Sequence, residues 1–453
     1  MARLPLILCG VAAVATWVQE AKAAGFAAAR FGGELGGVMS SNPTALYYNP
    51  GGIGFSTGTS LFLDGSMAIR HFSWRHQLAP TDAPDPPGAE GSNSGTASVT
   101  NVFGGPMFGA TTRLGNFAFG ASLSVPFGGR GSFGKNDRFT NSSFPLAADG
   151  IQRWHLIDGG LTFIYLTAGA AYRLGPVSIG VTGNLVSSSI KNTQAKNFGD
   201  GNPNTASEGR SALDVSGWQG SFGVGVMAEA IPDRLWFGAS YQAQPGLGPM
   251  RLKGSLDLVD EQSNHVHFNV TFDTALPDIT RLGVRFKPTQ AFELRFSADY
   301  ARWSVLHTQC VGFAPHPCEV DATGAATAEG GALQNIRRYW KDTYGAHVSA
   351  SHFIKPEVEL YLGVAFETAA SPDETLRPDL PDADNIAPAV GGRFEIARGL
   401  FAAATYTHIQ YLNRDNTGKS ELATPPMPTR WPDGGGEYKQ WIGVLNVNVE
   451  KQF

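Results

Sequence analysis

The residue types that could do chemistry in this chain are thinly spread. The ten histidines are scattered, and no G-x-S-x-G motif holds a serine on the sharp turn that hydrolases use. His265 and His267 share one face of a predicted strand, but two histidines without further ligands are weak evidence for a metal site. Gly418-Lys419-Ser420 resembles the end of a phosphate loop, yet Asn413 stands where that motif needs glycine. The sequence therefore predicts neither an enzyme, nor a cofactor, nor a metal.

Two cysteines lie close together in the C-terminal half of the chain. Cys310 and Cys318 fall in a segment rich in proline, glycine and histidine. In an oxidising compartment this pattern predicts a loop disulfide. A redox or metal role is the alternative, although the spacing is not C-x-x-C and no further ligands cluster nearby. The third cysteine, Cys9, falls in a predicted export signal.

Two Asn-Pro pairs, Asn42-Pro43 and Asn49-Pro50, lie seven residues apart near the N-terminus. Proline lacks the backbone donor and restricts the residue before it, so the segment cannot belong to a central strand. Leu46, Tyr47 and Tyr48 lie between the pairs, and glycines follow. This pattern favours a compact plug.

The first 23 residues read as a secretory signal. Arg3 is the basic residue, residues 4–18 are apolar, and Ala21-Lys22-Ala23 is a small-residue cleavage site. A membrane anchor is the alternative, but an apolar run of about 15 residues is short for a spanning helix. The mature protein is therefore expected outside the cytoplasm.

The composition suits a wall that faces lipid. Charged residues make up 16% of the chain, against roughly 25% in an average soluble domain. The chain has 56 glycines and 28 phenylalanines, and outside the signal no run of 18 apolar residues could form a spanning helix. The net charge of −5 gives no reason to expect a nucleic-acid partner.

Several segments alternate strictly between apolar and polar residues, as strands with two different faces must. From residue 292 the apolar positions Phe292, Leu294 and Phe296 alternate with Glu293 and Arg295. Residues 358–366 and 441–453 show the same alternation. Apolar outside and polar inside predicts a membrane barrel. A water-soluble sandwich is the alternative.

Turn signals set the number of strands. Short turns are predicted at 113–116, 174–176, 231–234, 287–290, 355–356 and 397–399. Long polar loops are predicted at 75–101, 127–155, 190–212, 243–266, 304–341, 368–385 and 412–437. Both sets require fourteen strands, so residues 59–453 are predicted to be an all-β, antiparallel transmembrane barrel. Its lumen is too wide for its own side chains to fill, which leaves residues 24–58 to plug it.

Residues 41–54 closely resemble the N-terminal hatch of the FadL/TodX family, outer-membrane barrels that import long-chain fatty acids and other hydrophobic compounds. Asn49-Pro50-Gly51-Gly52 matches the family's asparagine-proline-alanine-glycine signature, with Gly51 where alanine is commoner. The resemblance covers most of the mature chain, although the later landmarks are individually weak. The C-terminal Phe453 is the aromatic residue with which such barrels generally end.

The resemblance implies passive transport across the bacterial outer membrane. Expected partners are a fatty acid or another hydrophobic small molecule, outer-membrane lipid and the barrel assembly machinery, and a monomer is expected. Arg281 and Arg285 are alternatives for meeting a carboxylate, and each arginine could instead belong to a solvated ion-pair network. The ligand-site candidates are Phe26, Leu46, Tyr47, Tyr48, Asn49, Pro50 and Arg295.

Two further features are expected from the family. An inward kink of the third strand opens the wall sideways, and here residues 116–127 form that strand, with Gly120 and Pro126 as candidates for the kink; simple strand termination at Pro126 is the alternative. The second long loop is expected to capture ligand or else to pack onto the barrel rim. Its candidate residues are Phe144, Leu146, Ile151 and Trp154.

Three other functions stay open. An aromatic-hydrocarbon channel of the same family would share the fold. A general porin or surface receptor without lipid transport would show high conductance and no copurified lipid. An outer-membrane hydrolase would need an oriented nucleophile that the sequence does not offer.

Overall fold

Antiparallel β-strands supply nearly all the regular structure. The computed structural model describes residues 30–79, 85–198, 205–314, 316, 318, 320, 331–421 and 432–453. The predicted signal 1–23 and the candidate Phe26 lie outside these residues. None of the helices in the described part of the chain is long and apolar enough to cross a membrane.

Fourteen of the described strands form a closed wall in chain order. They are β1 (Thr59–His76), β2 (Gly95–Leu114), β3 (Phe117–Ser132), β4 (Asp158–Leu174), β5 (Val177–Asn197), β6 (Glu208–Ile231), β7 (Leu235–Gln242), β10 (Ile279–Thr289), β11 (Phe292–Ala301), β14 (Thr343–Lys355), β15 (Val358–Glu367), β16 (Asn385–Ala397), β17 (Leu400–Tyr411) and β19 (Glu437–Gln452). Five more strands, β8 (Met250–Val259), β9 (His265–Thr274), β12 (Thr308–Phe313), β13 (Ala332–Arg337) and β18 (Arg414–Asp415), lie at the long-loop end. Strand β1 pairs with both β2 and β19, which closes the barrel. The predicted fourteen-stranded barrel is confirmed.

The wall strands turn one face outward and the other into the lumen. On β11, Phe292 and Phe296 are 49% and 48% exposed, whereas Glu293 between them is 1% exposed. The outward set on β15, Leu360, Leu362 and Val364, is likewise exposed. An apolar belt on the outside and polar side chains within is the arrangement that a bilayer requires of a barrel.

All six predicted short turns join neighbouring wall strands. The β2–β3, β4–β5 and β16–β17 turns each contain a glycine with positive φ, at Gly115, Gly175 and Gly399. Glycine takes this left-handed conformation without steric cost, which is why these positions mark the turns in the sequence. The long loops lie together at the opposite, predicted external, end.

One long loop extends further than predicted. The connection from β7 to β10 covers residues 243–278, not 243–266, because β8 and β9 form a hairpin beyond the wall. This hairpin pairs with the outer part of β6 and with β12, so it prolongs the sheet above the barrel. The predicted disulfide between Cys310 and Cys318 is confirmed and closes the end of β12.

Candidate functional site

Residues 30–58 run inside the barrel and form the plug. Its second half contains two short helical segments, Ala45–Tyr48 and Pro50–Phe55. The Asn49 side chain accepts a hydrogen bond from the Gly51 N–H at 3.1 Å and so caps the second segment. Its amide nitrogen donates to the carbonyls of Val38 and Val226 at 2.9 and 3.0 Å. Asn49 therefore joins Val38 and the second helical segment of the plug to strand β6.

Residues 38–55, the anchored half of the plug, fit against glycines of the wall. Each of the consecutive strands β2–β7 and β10 contributes one inward glycine to this contact. A β-carbon on Gly180 would lie 2.3 Å from the Pro50 carbonyl, and one on Gly225 would lie 2.0 Å from Asn49 Oδ1. The plug reaches the wall backbone only because these side chains are absent. The seven glycines are Gly109, Gly120, Gly169, Gly180, Gly225, Gly238 and Gly283.

Residues 30–37, the tethered half of the plug, are held by polar contacts on the other side of the barrel. The Gly32 N–H donates to the buried Asp64 carboxylate at 2.9 Å, and Asn446 donates to the Arg30 carbonyl at 3.0 Å. A hydrogen bond of 2.5 Å joins His347 Nε2 to Glu34 Oε1. Phe31 is fully buried, and a β-carbon on Gly363 would lie 2.0 Å from Glu34 Oε1. The tethered half thus meets one wall glycine where the anchored half meets seven, and its other contacts border the cavities, so we expect it to be displaced more easily.

The tethered half separates two cavities. The external cavity, of about 240 Å³, opens toward the long loops, and the periplasmic cavity, of about 310 Å³, opens toward the short turns. Residues 36–38 and the Glu34–His347 pair line both cavities. Movement of residues 30–37 would therefore connect the two ends of the lumen.

The external cavity combines aromatic and charged groups. Tyr47 and Tyr48 of the plug line it together with Trp303 and Trp340, whose rings meet edge to face at 4.9 Å. Arg281 lies over both tyrosine rings, at 4.9 and 5.6 Å from their centres. In the loop 368–384, burial raises the pKa of Asp382, whose carboxylate accepts the N–H groups of residues 370 and 371.

Arg281 is a buried cation without a contacting carboxylate. Among the described residues no carboxylate oxygen lies within 4.0 Å of its guanidinium, although Asp299 is its cross-strand neighbour. The Arg281 guanidinium donates a hydrogen bond to the side-chain oxygen of Gln242 at 3.3 Å. Asp299 and the two tyrosine rings compensate the charge of Arg281 only without direct ion-pair contact, so an anionic group in the cavity would stabilise it further.

Arg295, the predicted carboxylate contact, occupies a different position. It pairs with Glu293 and with Glu359 at 2.6 and 3.2 Å and lines the periplasmic cavity. Arg285 pairs with the same Glu293 at 3.0 Å. This is the ion-pair network that was the alternative for these arginines, and it leaves Arg281 as the unpaired member of the three.

The structure divides the other predicted pocket residues between cavity and wall. Tyr47 and Tyr48 line the external cavity. Leu46 instead packs between Gly120 and Gly169 on the wall, and Asn49 and Pro50 lie against β5 and β6. The ligand-binding role of these residues stays a prediction.

Strand β3 bends at a bulge, and the predicted end of the strand at Phe127 is wrong, because the strand continues to Ser132. Its register against β4 shifts between Ser124 and Phe127, so Pro126 lies at a bulge. Residues 124–127 are all buried, although strand alternation would turn every second one outward. Gly120 pairs regularly on both sides and lies below the bend.

The bend separates β3 from β2. Their ladder stops at Met107 and Ser124, and further toward the outside a side-chain hydrogen bond of 2.5 Å runs from Asn101 Nδ2 to the Arg130 carbonyl. Residues 102–106 and 125–129, all described, thus face each other without ladder pairs; we name this the wall gap. Phe127, at the wall gap, also lines the external cavity.

In the candidate capture loop, residues 133–157, the last part is buried at residues 151–156, whereas residues 134–138 are exposed. Trp154 is fully buried and donates its indole N–H to Asn93 at 2.8 Å, and Ile151 packs with Phe72 and Trp74. Phe144 and Leu146 are partly exposed. In this conformation the loop packs onto the barrel rim, which was the alternative to ligand capture.

Sequence reasoning missed the glycine contacts and the unpaired state of Arg281. The glycines did leave a signal, because Val224 and Val226 are apolar outward positions and Gly225 between them must face the lumen. No such local signal identifies Arg281, since its lack of a partner depends on strands that are distant in sequence.

Comparison with known proteins agrees with this geometry. The family model described as outer membrane protein transport protein (OMPP1/FadL/TodX) matches residues 7–427. A search of the curated proteins returns no significant match.

Three solved structures share the fold of this chain at low sequence identity. The crystal structure of a Pseudomonas aeruginosa FadL homologue is 17% identical with a TM-score of 0.76, and the match covers 96% of this chain and 99% of that one. The Ralstonia pickettii toluene transporter TbuX is 15% identical with a TM-score of 0.62, covering 93% and 99%. The Pseudomonas putida toluene transporter TodX is 15% identical with a TM-score of 0.61, covering 96% and 100%.

Proposed function

Because this chain belongs to the OMPP1/FadL/TodX family of outer-membrane transport proteins for hydrophobic compounds, we propose that it is a passive channel for long-chain fatty acids. The barrel, the plug and the two cavities suit a transporter that holds its cargo between the outside and the periplasm. No energy source is part of the proposal, since diffusion down a gradient and release from the cavity suffice.

The unpaired guanidinium of Arg281 supports a fatty acid over a neutral hydrocarbon. A carboxylate could replace the missing ion-pair partner, and charge-assisted hydrogen bonds to it are roughly twice as strong as neutral ones. Tyr47 and Tyr48 lie beneath the same guanidinium and supply apolar ring surface for the chain. Each Å² of that chain removed from water contributes about 25 cal/mol.

The proposed route has two steps. The fatty acid first occupies the external cavity with its carboxylate on Arg281. It then leaves either sideways through the wall gap, where Phe127 borders the cavity, or downward once residues 30–37 move aside. The absence of ladder pairs at the wall gap supports the sideways exit.

A neutral aromatic hydrocarbon is the second candidate cargo. The edge-to-face pair of Trp303 and Trp340 offers a surface on which an aromatic ring would stack. Such a ligand gains nothing from Arg281, and this difference separates the two candidates.

Equilibrium binding to the purified full-length protein tests the proposal. Oleate and toluene are titrated against the wild type and against Arg281→Gln. We expect the variant to lose about tenfold or more of its oleate affinity and none of its toluene affinity. Tight toluene binding without oleate binding would replace the fatty acid by the aromatic cargo, and binding of neither would favour a general porin.

A further inference from the structure

Arg70, on β1, is a second buried arginine without a partner. It is 2% exposed, and among the described residues no carboxylate oxygen lies within 4.0 Å of it and no hydrogen bond from its guanidinium is formed. The fully buried Arg153 and the nearly buried Arg338 behave differently, since they pair with Glu208 and Asp379. Of the four buried arginines in the described residues, Arg153 and Arg338 have a carboxylate partner, and Arg70 and Arg281 do not.

The position of Arg70 places it beside the wall gap. Its cross-strand neighbour on β2 is Asn101, and both side chains face the lumen. Asn101 forms the upper border of the wall gap through its bond to the Arg130 carbonyl. Arg70 thus lies on β1, directly beside the β2 residue that borders the external end of the wall gap.

The surroundings of Arg70 suit an amphiphile. Its guanidinium lies 5.1 Å from the centre of the Phe72 ring, a contact that leaves the N–H groups available to an anion. Val125 and Phe127, buried apolar residues of β3, face the gap below it. Tyr411 lines the external cavity and packs against the apolar cluster that contains Ala68, two residues before Arg70 on the same face of β1.

We propose that Arg70 is a second binding site for the carboxylate head group of the cargo, used when the acyl chain enters the wall gap. The inference rests on the proposed function, because it assumes an anionic amphiphile. A carboxylate that leaves Arg281 meets a second unpaired cation before the molecule reaches lipid. The charge is then compensated at both ends of the sideways route, while the tail passes between Val125 and the facing residues of β2.

Photo-labelling of the purified full-length protein tests this site. The probe is a long-chain fatty acid with a diazirine beside its carboxylate, and the matching fatty alcohol is the neutral control. In the wild type we expect the acid to label residues near Arg70 on β1 and β2 as well as residues near Arg281. Arg70→Gln should reduce the labelling near Arg70 about tenfold and leave the labelling near Arg281 unchanged. Arg281→Gln should reduce the labelling near Arg281 and leave the labelling near Arg70 unchanged. Arg70→Lys, which keeps the charge, should retain much of the labelling, and heat-modifiable migration on gels checks that each variant is folded.

The outcomes separate the two proposals. Two results would overturn the second site and leave the fatty-acid channel standing. In the first, the acid labels residues near Arg281 but none near Arg70. In the second, the labelling near Arg70 is unchanged in Arg70→Gln. Equal loss of acid and alcohol labelling in Arg70→Gln also overturns it, because a purely structural arginine would act on both. If the acid labels neither place in the wild type, the proposed cargo itself is wrong.

Discussion

The two halves of the plug meet the barrel in different ways. The anchored half, residues 38–55, meets seven glycines of the wall. The tethered half, residues 30–37, meets one, Gly363, and is otherwise held by the buried Phe31 and a few polar side chains. Close packing tolerates almost no added volume. A hydrogen bond beside water can exchange with solvent at a net cost of about 1 kcal/mol. The comparison indicates that the plug has one fixed side and one side able to move, and the movable side divides the two cavities.

The largest effect is expected where a side chain is added to a wall glycine. Gly225→Val would force a β-carbon to within 2.0 Å of Asn49 Oδ1 and so displace the anchored half. Overpacking of this kind costs about 3 kcal/mol or more. In planar-bilayer recordings the variant should show a long-lived open level that the wild type lacks.

The matched control for this variant is Gly220→Val on the same strand. A β-carbon there has no atom within 4 Å. It should leave conductance at the wild-type value. Equal leakage through both variants would show that replacing a glycine of β6 opens the barrel without any contact to the plug, and the fixed side of the plug would lose its support.

A smaller effect is expected from Asn49→Ala. The change removes the amide that joins Val38, Val226 and the Gly51 N–H, and it leaves buried polar groups unpaired at a cost of about 1–3 kcal/mol. Amide hydrogen exchange across residues 38–55 should accelerate about 10- to 100-fold. Asn42→Ala, which removes a local contact to Thr44 only, is the control and should change exchange much less.

The tethered half should respond more mildly. Glu34→Gln keeps the shape of the side chain but removes the charge that meets His347, worth about 1 kcal/mol. We expect brief channel openings about five times more often, without a steady open level. Glu357→Gln, on the exposed β14–β15 turn, is the control. A permanent open state in Glu34→Gln would mean that this pair, and not the glycine contacts, fixes the plug.

The smallest effect is expected from Arg30→Gln. Its ion pair with Glu367 is 3.6 Å long, and the glutamate side chain is half exposed. Pairs of this kind contribute about 0–1 kcal/mol. The frequency of channel openings should rise less than twofold. A rise as large as that of Glu34→Gln would mean that the Arg30–Glu367 pair holds the tethered half as strongly as the Glu34–His347 pair does.

Much of the fold could be predicted because its signals are local. Strand alternation, the six turns and the Asn-Pro pairs all depend on residues within a few positions of one another. The same reliance on local signals made the predicted loop 243–266 too short. Residues 267–274 alternate between apolar and polar types, and this pattern is the same for a strand of the wall and for a strand of the β8–β9 hairpin.

The site was less predictable because its charges are set by distant strands. Arg295 meets Glu359 from β15, 64 residues away, and nothing near Arg281 or Arg70 in sequence tells that these arginines lack such a partner. The wall gap could be predicted in part. Pro126 predicted an irregular strand from the sequence alone. The loss of pairing between β3 and β2 could be seen only in the folded barrel.

Native mass spectrometry of the purified full-length protein tests the central claim most directly. If the barrel is a plugged channel that holds an anionic amphiphile on Arg281, the wild type should carry the added mass of a fatty acid and Arg281→Gln should lose it. Protein that is empty, or that carries only neutral hydrocarbon in both forms, would contradict the account.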